Sequence, residues 1–150
     1  MTRKVWLLVA LAALLGGGSL YLNRDWFAGD TIHVYHRSRP LRARRARPPT
    51  AATDPVVFFI DRKLKLTSVE VIPLSDIETN KFPQPIWHLI SDSNSLPVRE
   101  FAYGVPIRGM RPARKGTAPE PLEPGVNYRL FLEAGSQKAE HDFVPVARSQ

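Results

Sequence analysis

The chain has no cysteine in 150 residues. That absence removes disulfides, zinc–thiolate and iron–sulfur centres, cysteine nucleophiles and a lipidated cysteine anchor together. Any exported domain must then rest on an ordinary hydrophobic core. An N-glycosylation acceptor is missing too, because Asn94-Ser95 is followed by Leu96. No Rossmann glycine pattern, no phosphate-cradling G-x-x-x-x-G-K-[ST] and no G-x-S-x-G nucleophile elbow occurs. Glu120 and Glu123 lie in a proline-rich loop with no apolar pocket to raise a carboxyl pKa. Neither an enzyme nor a bound cofactor is expected.

Acidic residues are scarce in the first third. Residues 1–50 hold nine Lys/Arg against two Asp/Glu, whereas residues 51–150 hold twelve of each. The net charge of +7 therefore belongs to a tail and not to a basic domain. A nucleic-acid-binding fold carries its basic footprint on its own face, and this one is not expected to.

What is present begins at the N-terminus. Arg3 and Lys4 precede Val5–Leu15, which is apolar throughout, and no charge interrupts Val5 to Leu22. A helix over 5–22 spans about 27 Å, close to the roughly 30 Å hydrocarbon core of a bilayer. Tyr21, Trp26 and Phe27 suit the headgroup level beyond it. An uncleaved anchor is expected, with a cleaved secretory signal as the alternative, Gly17-x-Ser19 offering a small-residue site. Arg3 and Lys4 favour a cytoplasmic N-terminus and an exported domain. Arg37 and Arg39 fall within the range of the positive-inside bias and pull the other way.

Residues 1–22 are read as the anchor, 23–36 as a juxtamembrane segment with a first strand over Thr31–His36, and 37–55 as an Arg/Pro linker. The linker carries Arg37, Arg39, Arg42, Arg44, Arg45 and Arg47 among Pro40, Pro48, Pro49 and Pro55. Repelling charges and prolines predict an extended spacer. Guanidiniums bind phosphate well, so contact with anionic lipid headgroups or an anionic envelope polymer is expected, with a solvated spacer as the plain alternative. Nucleic acid is a weaker partner, because the tract lacks the interleaved aromatics of a single-strand platform.

Residues 56–146 read as β throughout, with 147–150 a tail. Val56–Ile60 is a short apolar run of the kind a sandwich core uses. Leu64–Leu74 alternates and ends near Pro73, Asp76–Pro85 is turn-rich, and Ile86–Ile90 and Val98–Tyr103 follow as strands. Val105–Met110 is a further short candidate. Strands over 128–134 and 138–143 close the domain around Gly135-Ser136. Seven or eight short strands predict a mostly β fold, an antiparallel sandwich of two sheets.

Leu122-x-Pro124-Gly125-x-x-Tyr128-x-Leu130-x-Leu132 resembles the L-x-P-G-x-x-Y segment of fibronectin type III and related immunoglobulin-like sandwiches. The resemblance implies that Tyr128 is the corner tyrosine, that Leu122 is the core residue before the turn, and that Trp87 is the buried tryptophan. It implies a fold and no activity.

The four histidines are His33, His36, His88 and His141. Residues 33 and 36 point to opposite faces of a strand and do not chelate, while His88 and His141 have the option of meeting across sheets. No carboxylate spacing completes a metal trio, so no metal is expected. Asp92-x-Asn94 reads as a turn and not as a calcium loop. The expected function is a membrane-anchored, extracytoplasmic, non-catalytic module for binding or scaffolding, working through loops such as 91–97 and 104–121 or through a strand edge. The alternatives are a cytoplasm-facing tether whose arginines bind anionic lipid or nucleic acid, and a small exported hydrolase built from Asp92, His88 or His141.

Overall fold

The computed structural model describes residues 3–22, 31–38, 52–91 and 95–148. They fall into two units, divided after Asp30. The first contains helix α1 (Arg3–Leu22), 20 residues with no buried side chain. At 1.5 Å per residue it is about 30 Å long, the thickness of a bilayer core. A 20-residue helix that is apolar on all sides and has no buried side chain is consistent with a signal sequence or a membrane anchor.

The second unit is mostly β, with eight strands in two antiparallel sheets. The three-stranded sheet has the order β1 (Val34–Ser38), β2 (Val56–Leu64), β5 (Val98–Ala102). The five-stranded sheet has the order β6 (Met110–Pro112), β4 (Trp87–Ser91), β3 (Ser68–Pro73), β7 (Tyr128–Ala134), β8 (Gln137–Phe143). A short helix α2 (Leu74–Thr79) follows β3 directly.

Alternation builds the core. Val56, Phe58 and Ile60 point inward from β2, Val69 and Val71 from β3, Trp87 and Leu89 from β4, and Tyr128, Leu130 and Leu132 from β7. Val57 and Phe59 are only half-buried on the other face of β2, so the apolar run 56–60 has one core face and not two. Phe58 is the aromatic hub: its ring meets Phe143 edge-on at 5.0 Å and Phe101 at 5.3 Å. Such geometries add about 0.5–1.5 kcal/mol beyond area burial.

The corner before β7 takes the expected form. Leu122 is buried, Gly125 sits at φ 80°, and Tyr128 is buried at the head of β7. The positive φ after Pro124 is one that glycine adopts without steric cost. The Glu123 N–H donates to Tyr128 Oη at 3.0 Å, and the Gly125 N–H donates to the Pro145 carbonyl at 3.1 Å. Tyr128→Phe strips the acceptor from a half-buried N–H, so a loss of about 1–3 kcal/mol is expected. The urea midpoint should fall at unchanged slope.

Several boundaries differ from the sequence reading. Residues 64–74 do not form one strand: β2 ends at Leu64 and β3 begins at Ser68. The turn-rich stretch from Asp76 contains most of α2. Val105–Met110 is not a strand, and the chain pairs only from Met110 to Pro112. Arg37 belongs to β1, where it is the register partner of Val57. The segment read as a spacer is therefore bracketed by two paired strands, since Ser38 and Val56 are register partners. Its return is held too: Thr53 bridges Ala147, and Thr53 and Asp54 are buried.

Candidate functional site

A cleft of about 600 Å3 is lined by β4 and by the chain on both sides of β6. Its construction follows from the way the chain leaves β6. The Ala113 N–H donates to the His88 carbonyl at 3.1 Å and the Glu120 N–H to the Ile86 carbonyl at 3.1 Å. Residues 114–119 bow out between these two bonds. Its lining includes Trp87, His88, Met110 and Pro112 from β4 and β6 and Thr117 and Pro119 from the bowed segment. Proline supplies walls that need no hydrogen-bond partner of their own.

One end is fixed by Tyr103. Its ring packs edge-on against Trp87 at 5.1 Å, and its hydroxyl donates to the Glu120 carbonyl at 2.6 Å. Burial, with the nearby Tyr128 and Glu120 charges, raises the Tyr103 pKa, so the hydroxyl remains a donor. Gly104 stands next to it at φ 74°, and a Cβ there would lie 3.4 Å from Pro119. A side chain at 104 is thus both strained and pressed against the loop.

Across the mouth, Arg114 Nη2 donates to Gln84 Oε1 at 3.2 Å. Arg108, Arg111, Arg114 and Lys115 are exposed, and no Asp or Glu occurs between Glu100 and Glu120. The stretch is therefore locally basic, but of the four only Arg114 lines the cleft, and Arg111 is one residue out of phase with the lining residues Met110 and Pro112 of β6. Clefts of roughly 300–1,000 Å3 with a few polar groups are the usual form of a ligand site.

The histidines are placed differently from the sequence expectation. His88 and His141 do not meet across sheets: both lie in the five-stranded sheet, with β3 and β7 between their strands. His88 Nε2 is 3.0 Å from Glu70 Oε1 and 3.4 Å from Ser68 Oγ. His141 pairs instead with His36, Nε2 to Nδ1 at 2.7 Å, across the edge where β1 meets β8. Burial lowers the pKa of both imidazoles, and the His36 charge lowers that of His141 further. Among the described residues no group of three or more His, Cys, Asp or Glu stands ready to hold a metal.

Of the arginines assigned to anionic surfaces, Arg37 is an exposed residue of β1. Arg39, Arg42, Arg44, Arg45 and Arg47 lie outside the described residues, as do residues 92–94 of the loop 91–97. Of the residues read as structural, Trp87, Leu122, Tyr128 and Leu130 are buried and Pro124 is exposed in the turn. The loop 104–121 named from the sequence contains this basic stretch, which the run of four cations without an acid marks, whereas the Gln84–Arg114 contact has no signal in the sequence. No protein-family model, no curated protein and no solved structure matches the chain.

Proposed function

We propose that this chain is a membrane-anchored, extracytoplasmic β-sandwich module that binds a partner and catalyses nothing, with the β4 cleft as its contact surface. The observation that carries the reading is a largely apolar cleft lined by Arg114, on a stretch of chain that also carries Arg108, Arg111 and Lys115 and no acid. A partner suited to it presents an apolar group flanked by anionic ones. A carboxylate would replace Gln84 on Arg114, because charge-assisted hydrogen bonds are about twice as strong as neutral ones. The Tyr128 corner and buried Trp87 support a place among fibronectin type III and immunoglobulin-like sandwiches. The apolar helix and the charges of Arg3 and Lys4 support an uncleaved anchor with its N-terminus inside. The arginines from 37 to 47 add affinity for anionic lipid headgroups or envelope polymer.

The test has two parts. A tag after Gln150 should be cut by external protease on membrane-bound protein of full mass. A photo-crosslinking residue at Thr117, on the cleft wall, should capture a discrete partner in intact membranes, while one at Gln137, on the β7–β8 hairpin, should not. Changing Arg108, Arg111, Arg114 and Lys115 together to Ser should lower capture about tenfold at low salt and less at high salt. A protected tag, or capture indifferent to these four charges, overturns the reading.

A further inference from the structure

β1 and β8 are each an edge strand, β1 of the three-stranded sheet and β8 of the five-stranded sheet, and they pack against each other. His36 and His141 cross that seam at 2.7 Å, with ring centroids 4.9 Å apart, and His36 also lies 6.0 Å from the Phe143 ring. The two residues are 105 positions apart in the chain. Both fall in the same strand rows as core residues, His36 as the register partner of Phe58 and His141 of Leu130, but at the rim of the seam, where His36 is exposed and His141 half-buried. A third His, Asp or Glu does not complete the pair among the described residues, so the contact is not offered as a metal site.

An imidazole–imidazole hydrogen bond needs one ring nitrogen to donate and the other to accept. Two neutral rings satisfy this, and so does one neutral ring with one protonated ring. Two protonated rings have four N–H donors and no acceptor, and they repel. We infer that the His36–His141 contact is a proton-operated latch between the two sheets, closed while either ring is neutral and released when both are charged.

The surroundings leave that chemistry to the pair. On β8 the flanking charges are Glu140 and Asp142, and on β7 Arg129 ties up both, with Asp142 held bidentately at 2.6 and 2.9 Å. These side chains occupy the opposite face of the strand, one residue out of phase with His141. On β1 the neighbouring charge is Arg37, again out of phase. On β2 the facing position is Phe58, and the nearest acid is Asp61, beyond the Val34–Ile60 pair. Asp142 partly opposes the lowering of the His141 pKa, but burial and His36 outweigh it. The sign follows: rings with pKa values below 6.5 when folded take up protons on opening, so the latch is whole above that value and is lost as pH falls through the lower step of the pair. What loosens is β1, the strand that follows the anchor segment in the chain.

The test uses the full chain in zwitterionic lipid nanodiscs. Imidazole NMR titration should show two coupled steps, the lower one well under the ordinary histidine value. Amide-exchange protection of β1, corrected for intrinsic rates, should fall by at least about tenfold from pH 7.5 to pH 5.0, while β3 and β7 keep theirs. In His141→Gln, whose amide still donates and accepts, β1 protection should no longer depend on pH. Two rings titrating independently near 6.5, or an equal pH response in His141→Gln, would overturn the latch. If that variant fails to fold, His36→Gln replaces it, and the wild-type titration decides alone.

Discussion

Phe58→Ala is expected to remove about 3–5 kcal/mol of stability from the β domain. Phe58 is 0% exposed and contacts two further aromatic rings, so its deletion leaves a void that neighbours on two sheets would have to fill. Native domains are stable by only about 5–15 kcal/mol, so this one change uses a large share of the margin. For a domain of this size each kcal/mol shifts Tm by about 4–8 °C, which predicts a fall of at least ~12 °C. The control is the next residue. Phe59 carries the same side chain on the half-buried outer face, and Phe59→Ala should cost less than half as much. Calorimetry of the two variants tests the facing of β2 directly, and equal losses would mean the facing is wrong.

The second large effect belongs to α1. Leu11→Arg places a charge near the middle of a helix with no buried side chain in its own chain. For a helix that spans a bilayer, an arginine at the midpoint costs about 2.5–3.5 kcal/mol in insertion, roughly a hundredfold in membrane partition. Adding Leu14→Arg should move most of the protein out of the membrane fraction. Membrane flotation with mass measurement reads the outcome. If the doubly substituted chain still floats at full mass, α1 is not what holds it there.

The parts of this fold legible in the sequence are those where side-chain burial alternates with period two. Tyr128, Leu130 and Leu132 gave β7 almost to the residue, and Gly135-Ser136 gave the turn to β8. β1 was harder, because an edge strand tolerates charge: its second half reads His-Arg-Ser, which by composition belongs with the arginine tract. Helix α2 has six residues, too few for a 3.6-residue period to show, and no side chain caps it. The candidate site was less legible still. Its walls come from β4 and from residues 104–120, and only the folded chain sets Arg114 against Gln84. The His36–His141 contact depends on which edges of two sheets face each other, and local patterning carries no trace of that.

The pairing of Ser38 with Val56 has a bearing on how the chain tolerates change. The sheet sets Ser38 beside Val56, and between two ends held in this way the cost of lengthening a flexible connection grows only with the logarithm of its length, about 0.6 kcal/mol for each doubling. Changes of length between these two strands should then cost the β framework little, whereas a single methylene lost at Phe58 or Leu130 would be felt at once.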